Sequence, residues 1–282
     1  MVAFPFIGNA QRKRAFMVGI SNYHTNGYKV WNNIHGAEDI MLLTPELEKK
    51  GFAVKSIVNE KATYQGIVSA LDTFISSSRK GDIVYLHFSS HGQPVEDGLL
   101  RDSLDEKDGW DESIVPIDAG KIYGVNYKGE KHLTDDQLNE FFIKLRKKIG
   151  PNGMLYVAMD ACHAGEMSRN GIETIRGTNE ALTTKPDNRY NPPRSNIRHY
   201  NVETSKTCSP VLFIEACQSR ERNTEIRIQG KEYGALSYNI WQALQAMEYL
   251  DKKTVEQFKA NVKASTETKG RWPRTQTLVI EE

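Results

Sequence analysis

Two textures of apolar residues alternate along this chain. Short, nearly continuous apolar runs at 14–21, 53–59, 82–90, 154–160 and 210–216 have the form of strands buried on both faces. Between them the apolar positions move to helical spacing. Ile40, Leu43 and Leu47 line one face of 36–51, with Gly51 as a stop, and Ile67, Leu71, Phe74 and Ile75 line one face of 62–78. Thr134 and Gln137 form a capping box opening a helix over 135–150. Further helices are predicted over 233–247 and, with Thr254 as its cap, over 254–265; the alternating segment 275–282 predicts a last strand. Strand following helix almost throughout predicts an α/β fold: a mostly parallel sheet covered by helices on both faces, in one domain spanning 1–282.

Two segments break the alternation. Residues 92–131 are rich in Asp and Gly, with a short strand signal at 113–117. Residues 166–209 are polar, interrupted by prolines and dotted with Arg169, Arg176, Lys185, Arg189, Arg194, Arg198 and Lys206. So little apolar content predicts a long flexible loop rather than a core element.

Composition narrows the function classes. A net charge of +1 gives no electrostatic case for a nucleic-acid or membrane partner. The three cysteines, Cys162, Cys208 and Cys217, lack the even count and spacing of a disulfide framework, which leaves room for a reactive thiol. The N-terminal segment places its charges after a short apolar stretch, the reverse of a secretory leader, and no apolar run approaches a membrane span. A cytoplasmic location is the expectation.

The chemistry gathers where strands end. In a parallel sheet, ligands bind beyond the carboxyl ends of the strands. The third predicted strand finishes on "HFSSHG", delivering His91 and Gly92; the fourth finishes on "MDACHAG", delivering Cys162. Neighbouring strands lie about 5 Å apart, so an imidazole and a thiol would share one edge. The thiolate is the attacking species and an adjacent imidazole can draw it out, then protonate a leaving amine. The backbone N–H groups of Gly92 and Cys162 are placed to receive a developing oxyanion.

These two blocks resemble the active-site blocks of the metacaspase-like group of caspase-like cysteine peptidases. "MVGISNY", "WNNIHGAEDI", "FIEACQS" and "YGALSYNIWQAL" are similar to further blocks of that family, in the same order, from about residue 14 onward. The resemblance implies a three-layer fold of six strands and a His91–Cys162 dyad cleaving peptide bonds in a peptide or protein substrate. In relatives that cut after Arg or Lys, the acid two residues before the nucleophile, here Asp160, lines the specificity pocket. Asp39 matches a second pocket acid and Ser89 a wall residue. Relatives often carry an Asp just after the later Cys block; this chain has Ser219 and Arg220 there, with Glu225 the nearest acidic substitute. The resemblance also implies self-processing within 166–209.

Competing readings attach to the same residues. His87, His91, Cys162 and His163 offer zinc-type ligands, but without a recognised spacing, so no metal is assigned to the site. His87 reads as a core histidine and His163 as structural. The acidic stretch 101–113 reads first as a solvated loop; calcium activation, as in metacaspase relatives, is the alternative. No cofactor is required. A catalytically inactive scaffold of the same fold is the non-enzymatic alternative, and the presence of both His91 and Cys162 argues against it.

Overall fold

The computed structural model describes residues 11–23, 31–100, 109–161, 173–190 and 205–282. In chain order it contains β1 (Lys13–Gly19), α1 (Gly36–Lys49), β2 (Phe52–Val58), α2 (Tyr64–Ser76) and β3 (Ile83–Ser89). Three short strands follow, β4 (Gly92–Glu96), β5 (Trp110–Ile114) and β6 (Leu133–Thr134), then α3 (Asp135–Ile149) and β7 (Met154–Asp160). The remainder is β8 (Val211–Glu215), β9 (Glu225–Ile228), β10 (Lys231–Gly234), α4 (Ala235–Gln245), α5 (Val255–Thr266) and β11 (Val279–Glu281).

Six strands form the central sheet in the order β11-β8-β7-β3-β1-β2, parallel except for β11 at one edge. Every residue of β3 and β7 is buried, as the unbroken apolar runs require of strands covered on both faces. Strand alternation sorts their side chains into two cores. Phe16, Val18, Leu86, Phe88 and Val157 pack with α2 and α3 through Leu71, Phe74, Leu138 and Phe142. Met17, Tyr85, Tyr156 and Ala158 pack on the other face with α1, α4 and α5 through Leu43, Leu236, Ile240 and Phe258. Each fully buried side chain of Leu, Ile or Phe size contributes about 1.5–3 kcal/mol of transfer free energy.

The register positions the site. Gly19 of β1 pairs with Ser89 of β3, and Ser89 with Asp160 of β7, so three parallel strands end at one level. The start of α1 presses against that edge. A Cβ on Gly36 would fall within clashing distance of the Ser89 and Ile20 carbonyl oxygens, so only glycine permits this approach.

Several features depart from the sequence expectations. The small sheet β4-β5-β6 and the hairpin β9–β10 carry no long apolar run to announce them. The hairpin turns through Gln229 (φ 51°) and Gly230 (φ 82°), the paired positive angles of a tight two-residue connection. Thr254 holds the N-cap position of α5, but its hydroxyl makes no cap hydrogen bond and is engaged with the backbone of Asp251 instead. The flexible-loop expectation fails for residues 173–190. Ile175, Arg176, Ala181, Leu182 and Tyr190 are buried there, and bridges join Ile175 to Thr224 and Leu182 to Val95. A few apolar side chains suffice because each lands on an already built surface. Residues 166–172 and 191–204 lie outside the described residues. No described helix is long and apolar enough to cross a membrane.

Candidate active site

At the common end of β1, β3 and β7 the residues singled out from the sequence do meet. Ser89 and Asp160 sit at the last positions of β3 and β7, and Asp39 reaches them from the first turn of α1; all three are fully buried. The Ser89 hydroxyl donates to Asp39 Oδ2 at 2.7 Å. Two carboxylates buried this close require a cation, and the chain supplies one itself. Arg176, also fully buried, places Nη1 2.8 Å from Asp39 Oδ2, 3.5 Å from Asp160 Oδ1 and 2.6 Å from Ser89 Oγ. Its Nε and Nη2 both donate to Glu225 Oε1, at 3.0 and 2.8 Å. Glu225, the first residue of β9, is thus the third acid around the guanidinium.

The backbone of Arg176 is held as firmly as its side chain. Its N–H donates to the Asn223 carbonyl at 2.9 Å, and the Glu225 N–H donates to the Thr174 carbonyl at 2.9 Å, so 174–176 lies as a short antiparallel strand against 223–225. The Arg176 carbonyl oxygen accepts from the Gly92 N–H at 3.1 Å. Beyond it, Leu182 exchanges backbone hydrogen bonds with Pro94 and Glu96 of β4. Glu96 also accepts from Thr183 and Thr184. The segment therefore threads between the two walls, β9 on one side and β4 on the other.

Electrostatics follow from burial against partners. Burial pushes the Asp39 carboxyl up to about 7; Arg176 opposes this, and the neighbouring Asp160 charge adds to it. Burial also works against the Arg176 cation, but Asp39, Asp160 and Glu225 outweigh it and hold the guanidinium charged. Burial would raise Glu225 too, yet Arg176 and His35 overcome it and the carboxyl lies below its usual range. His35 clasps Glu225 twice, through its backbone N–H at 2.7 Å and through Nδ1 at 2.5 Å.

Three pocket residues went unrecognised in the sequence. Gly234 donates its N–H to Asp39 Oδ1, and a Cβ there would collide with Asp160 and Arg176. Ser237, in the first turn of α4, donates both N–H and O–H to Asp160 Oδ2, at 2.8 and 2.6 Å. The Asn223 amide donates to Asp160 Oδ1 at 2.7 Å. His87 is buried as expected, and it also supports the pocket from below. Its Nε2 lies 3.0 Å from Ser237 Oγ and its Nδ1 2.9 Å from the Tyr85 hydroxyl. Because the Ser237 hydroxyl already donates to Asp160, Nε2 must carry the His87 proton. Local sequence signals none of this; a glycine and a serine at a helix start look like ordinary caps.

His91 lies just past β3, packed between Tyr23 and Trp31 at ring-centroid distances of 4.9 and 5.0 Å. Its Nε2 is 2.7 Å from the Asn32 carbonyl, an acceptor only, which fixes the proton on Nε2. Nδ1 is left with an open lone pair and no hydrogen-bond partner among the described residues. Burial lowers His91 to about 4, so it is a neutral base. Cys162 and His163 lie outside the described residues, one and two positions beyond Ala161 at the end of β7.

Of the two described histidines of the zinc reading, His87 has both ring nitrogens engaged, whereas His91 has only Nε2 engaged. A different donor set, His35, Glu225 and Glu232, brings ligand-type atoms within 4.8 Å of one another. A cation there would compete with the His35 and Arg176 contacts to Glu225. Of the acidic stretch 101–113, residues 101–108 lie outside the described residues, and Asp111 and Glu112 are buried in β5 rather than solvated.

The chain is similar to known proteins over most of its length. Metacaspase-1 of Lodderomyces elongisporus is 22% identical over 274 residues, covering 84% of this chain and 55% of that protein. Metacaspase-1 of Schizosaccharomyces pombe is 23% identical over 272 residues, covering 80% and 58%. The chain thus spans somewhat more than half the length of these relatives. A solved structure, protein GSU0716 from Geobacter sulfurreducens, shares the fold with a TM-score of 0.64 at 19% identity, over 96% of this chain and 92% of that one. The model of the caspase domain matches residues 12–276, nearly the whole length, and the chain belongs to the caspase-domain family.

Proposed function

We propose that this protein is a cysteine endopeptidase that cuts peptide bonds after Arg, and less readily after Lys, with Cys162 as nucleophile and His91 as its base. The observation that supports this reading is the pocket at the strand ends. Asp39, Asp160, Glu225 and Ser89 surround a guanidinium, while the carbonyl of the same arginine rests on the Gly92 N–H. A planar cation is met by carboxylates on several sides, a geometry that suits Arg better than Lys and repels Asp. Glu225 fills the role left vacant at Ser219.

In this reading His91 Nδ1 takes the thiol proton, and the thiolate attacks the substrate carbonyl carbon. The oxyanion forms on the Gly92 N–H, with the Cys162 N–H as the second donor. His91 then protonates the leaving amine, and water resolves the thioester. The Asn32 carbonyl holds the imidazole in the tautomer this requires. Nucleophile, base and oxyanion donors all belong to the chain, so the reaction calls for no cofactor.

The test is kinetic. Cys162→Ala and His91→Ala should each abolish turnover of fluorogenic Arg peptides, and the double variant should be scarcely worse than either, because the two act as one unit. Substantial turnover by Cys162→Ala, or a peptide panel favouring Asp or apolar residues, would overturn the assignment. An inactive scaffold would show no turnover and no preferential alkylation of Cys162.

A further inference from the structure

His35 stands immediately before α1, and its ring Nδ1 is faced by two carboxylates of the β9–β10 hairpin. Glu225 Oε2 lies 2.5 Å from it and Glu232 Oε2 3.4 Å. Each acid engages an arginine through its other oxygen. Glu225 Oε1 accepts from Arg176, and Glu232 Oε1 accepts from Arg227 Nε and Nη2 at 3.1 and 2.6 Å. These guanidinium contacts turn the second oxygen of both carboxylates toward one imidazole nitrogen, the way outer contacts orient metal ligands. A salt bridge to His35 needs one carboxylate only. Here Glu232, already paired with Arg227 across the hairpin, adds a second.

We propose that His35 Nδ1, Glu225 Oε2 and Glu232 Oε2 form a site for a divalent transition cation of the zinc class, which clamps the start of α1 to the β9–β10 hairpin. The three residues bring ligand-type atoms within 4.8 Å of one another, a span that one ion can bridge. Atoms bonded at about 2.0–2.2 Å to a tetrahedral zinc lie about 3.3 Å apart. The His35–Glu232 pair already sits near that separation, and Glu225 needs to withdraw from His35 by about 0.8 Å. His35, Glu38 and Glu232 also line a cavity of about 660 Å³ between α1 and the hairpin, which leaves room for water in the fourth position. An imidazole nitrogen with two carboxylates suits zinc, whereas calcium takes about six to eight oxygen ligands. Binding displaces the proton between Nδ1 and Glu225 Oε2, and that proton leaves to solvent. Glu225 then serves the ion and the Arg176 guanidinium with one oxygen each, so the two compete for charge and not for position. Residues 190 positions apart in the chain would be joined at the acid that also holds Arg176.

The test uses the full chain carrying Cys162→Ala, so that the proposed nucleophile takes no zinc, after treatment with a chelator. Calorimetric titration with zinc should show one saturable site. At about a hundredfold excess over Kd the ion should raise Tm by about 4 °C. Glu232→Gln removes one ligand from the exposed hairpin and should weaken zinc binding at least about tenfold, with Tm in chelator nearly unchanged. His35→Gln keeps a hydrogen-bond donor toward Glu225 and should lose zinc binding to the same degree. Cobalt(II) in place of zinc should give visible ligand-field bands without the near-ultraviolet charge-transfer band of a thiolate ligand. No saturable binding by about 1 mM zinc would overturn the proposal. Affinity unchanged in either folded variant would also overturn it, as would a thiolate band that Glu232→Gln leaves in place. None of these readouts involves turnover, so the metal site stands or falls separately from the peptidase reading.

Discussion

Gly234 shows how much of the acidic pocket depends on one missing atom. A methyl group at this position would occupy the space between the Asp160 carboxylate and the guanidinium. Gly234→Ala should therefore raise KM for Arg peptides by at least ~100-fold, since a displaced charge-assisted hydrogen bond is worth about 1.5–3 kcal/mol and more than one is lost. Cys162 alkylation should persist, and its loss would mark a general collapse instead. Ser237→Ala removes one of two donors to Asp160 Oδ2 and should raise KM about tenfold with kcat little changed. The pH dependence follows from Asp39. It must be ionised to hold a cation, and burial sets it near 7, so affinity for Arg peptides is full above that value and falls as pH drops through it. His91, held near 4, stays a neutral base over the same range. KM should then rise up to ~10-fold per unit of acidification while kcat stays nearly level; a KM unchanged between about pH 8 and about pH 5 would exclude Asp39 from the pocket's charge. Asp39, Ser89 and Asp160 were legible because each sits in a recognisable block. Arg176 was not: it is one of many basic residues in a polar stretch, and only the fold selects it.

At the scale of elements, periodicity was a dependable guide wherever a segment buries a whole face. The strands of the central sheet and the described α-helices were legible from apolar spacing, because each packs against one of two large cores. The short strands β4, β6, β9 and β10 were not, since their places are set by hydrogen bonds to neighbours distant in sequence. Two of these missed strands form the walls between which 173–190 is threaded, which is why that segment looked structureless. The contact between α1 and β3 is the most sensitive of the element junctions. Gly36→Ala should push the helix off the strand end, destabilise the fold by about 1–3 kcal/mol and carry Asp39 away from the pocket. Thermal unfolding and KM for an Arg peptide should move together. A lowered Tm with unchanged KM would show that Asp39 is held by contacts other than the helix position.

At the scale of the whole molecule, the central sheet joins strands made far apart in the chain. β7 and β8 are adjacent parallel strands in the sheet although the long polar segment separates them in sequence. A chain cut by protease within 166–209 should elute as one species under native conditions and separate into two only in denaturant; early separation would mean the paired strands do not hold the halves. The same arrangement distributes the acids around Arg176 over both sides of that segment, with Asp39 and Asp160 before it and Glu225 after it. Synthesis runs in one direction, and N-terminal parts fold as they emerge. A growing chain therefore displays its histidine and its cysteine well before the third acid exists, and before β8 can flank β7. During that interval the ribosome-bound polypeptide has Asp39 and Asp160 without the third acid that holds the Arg176 guanidinium. Translation order thus delays the three-acid cluster around Arg176 until β9 has been made.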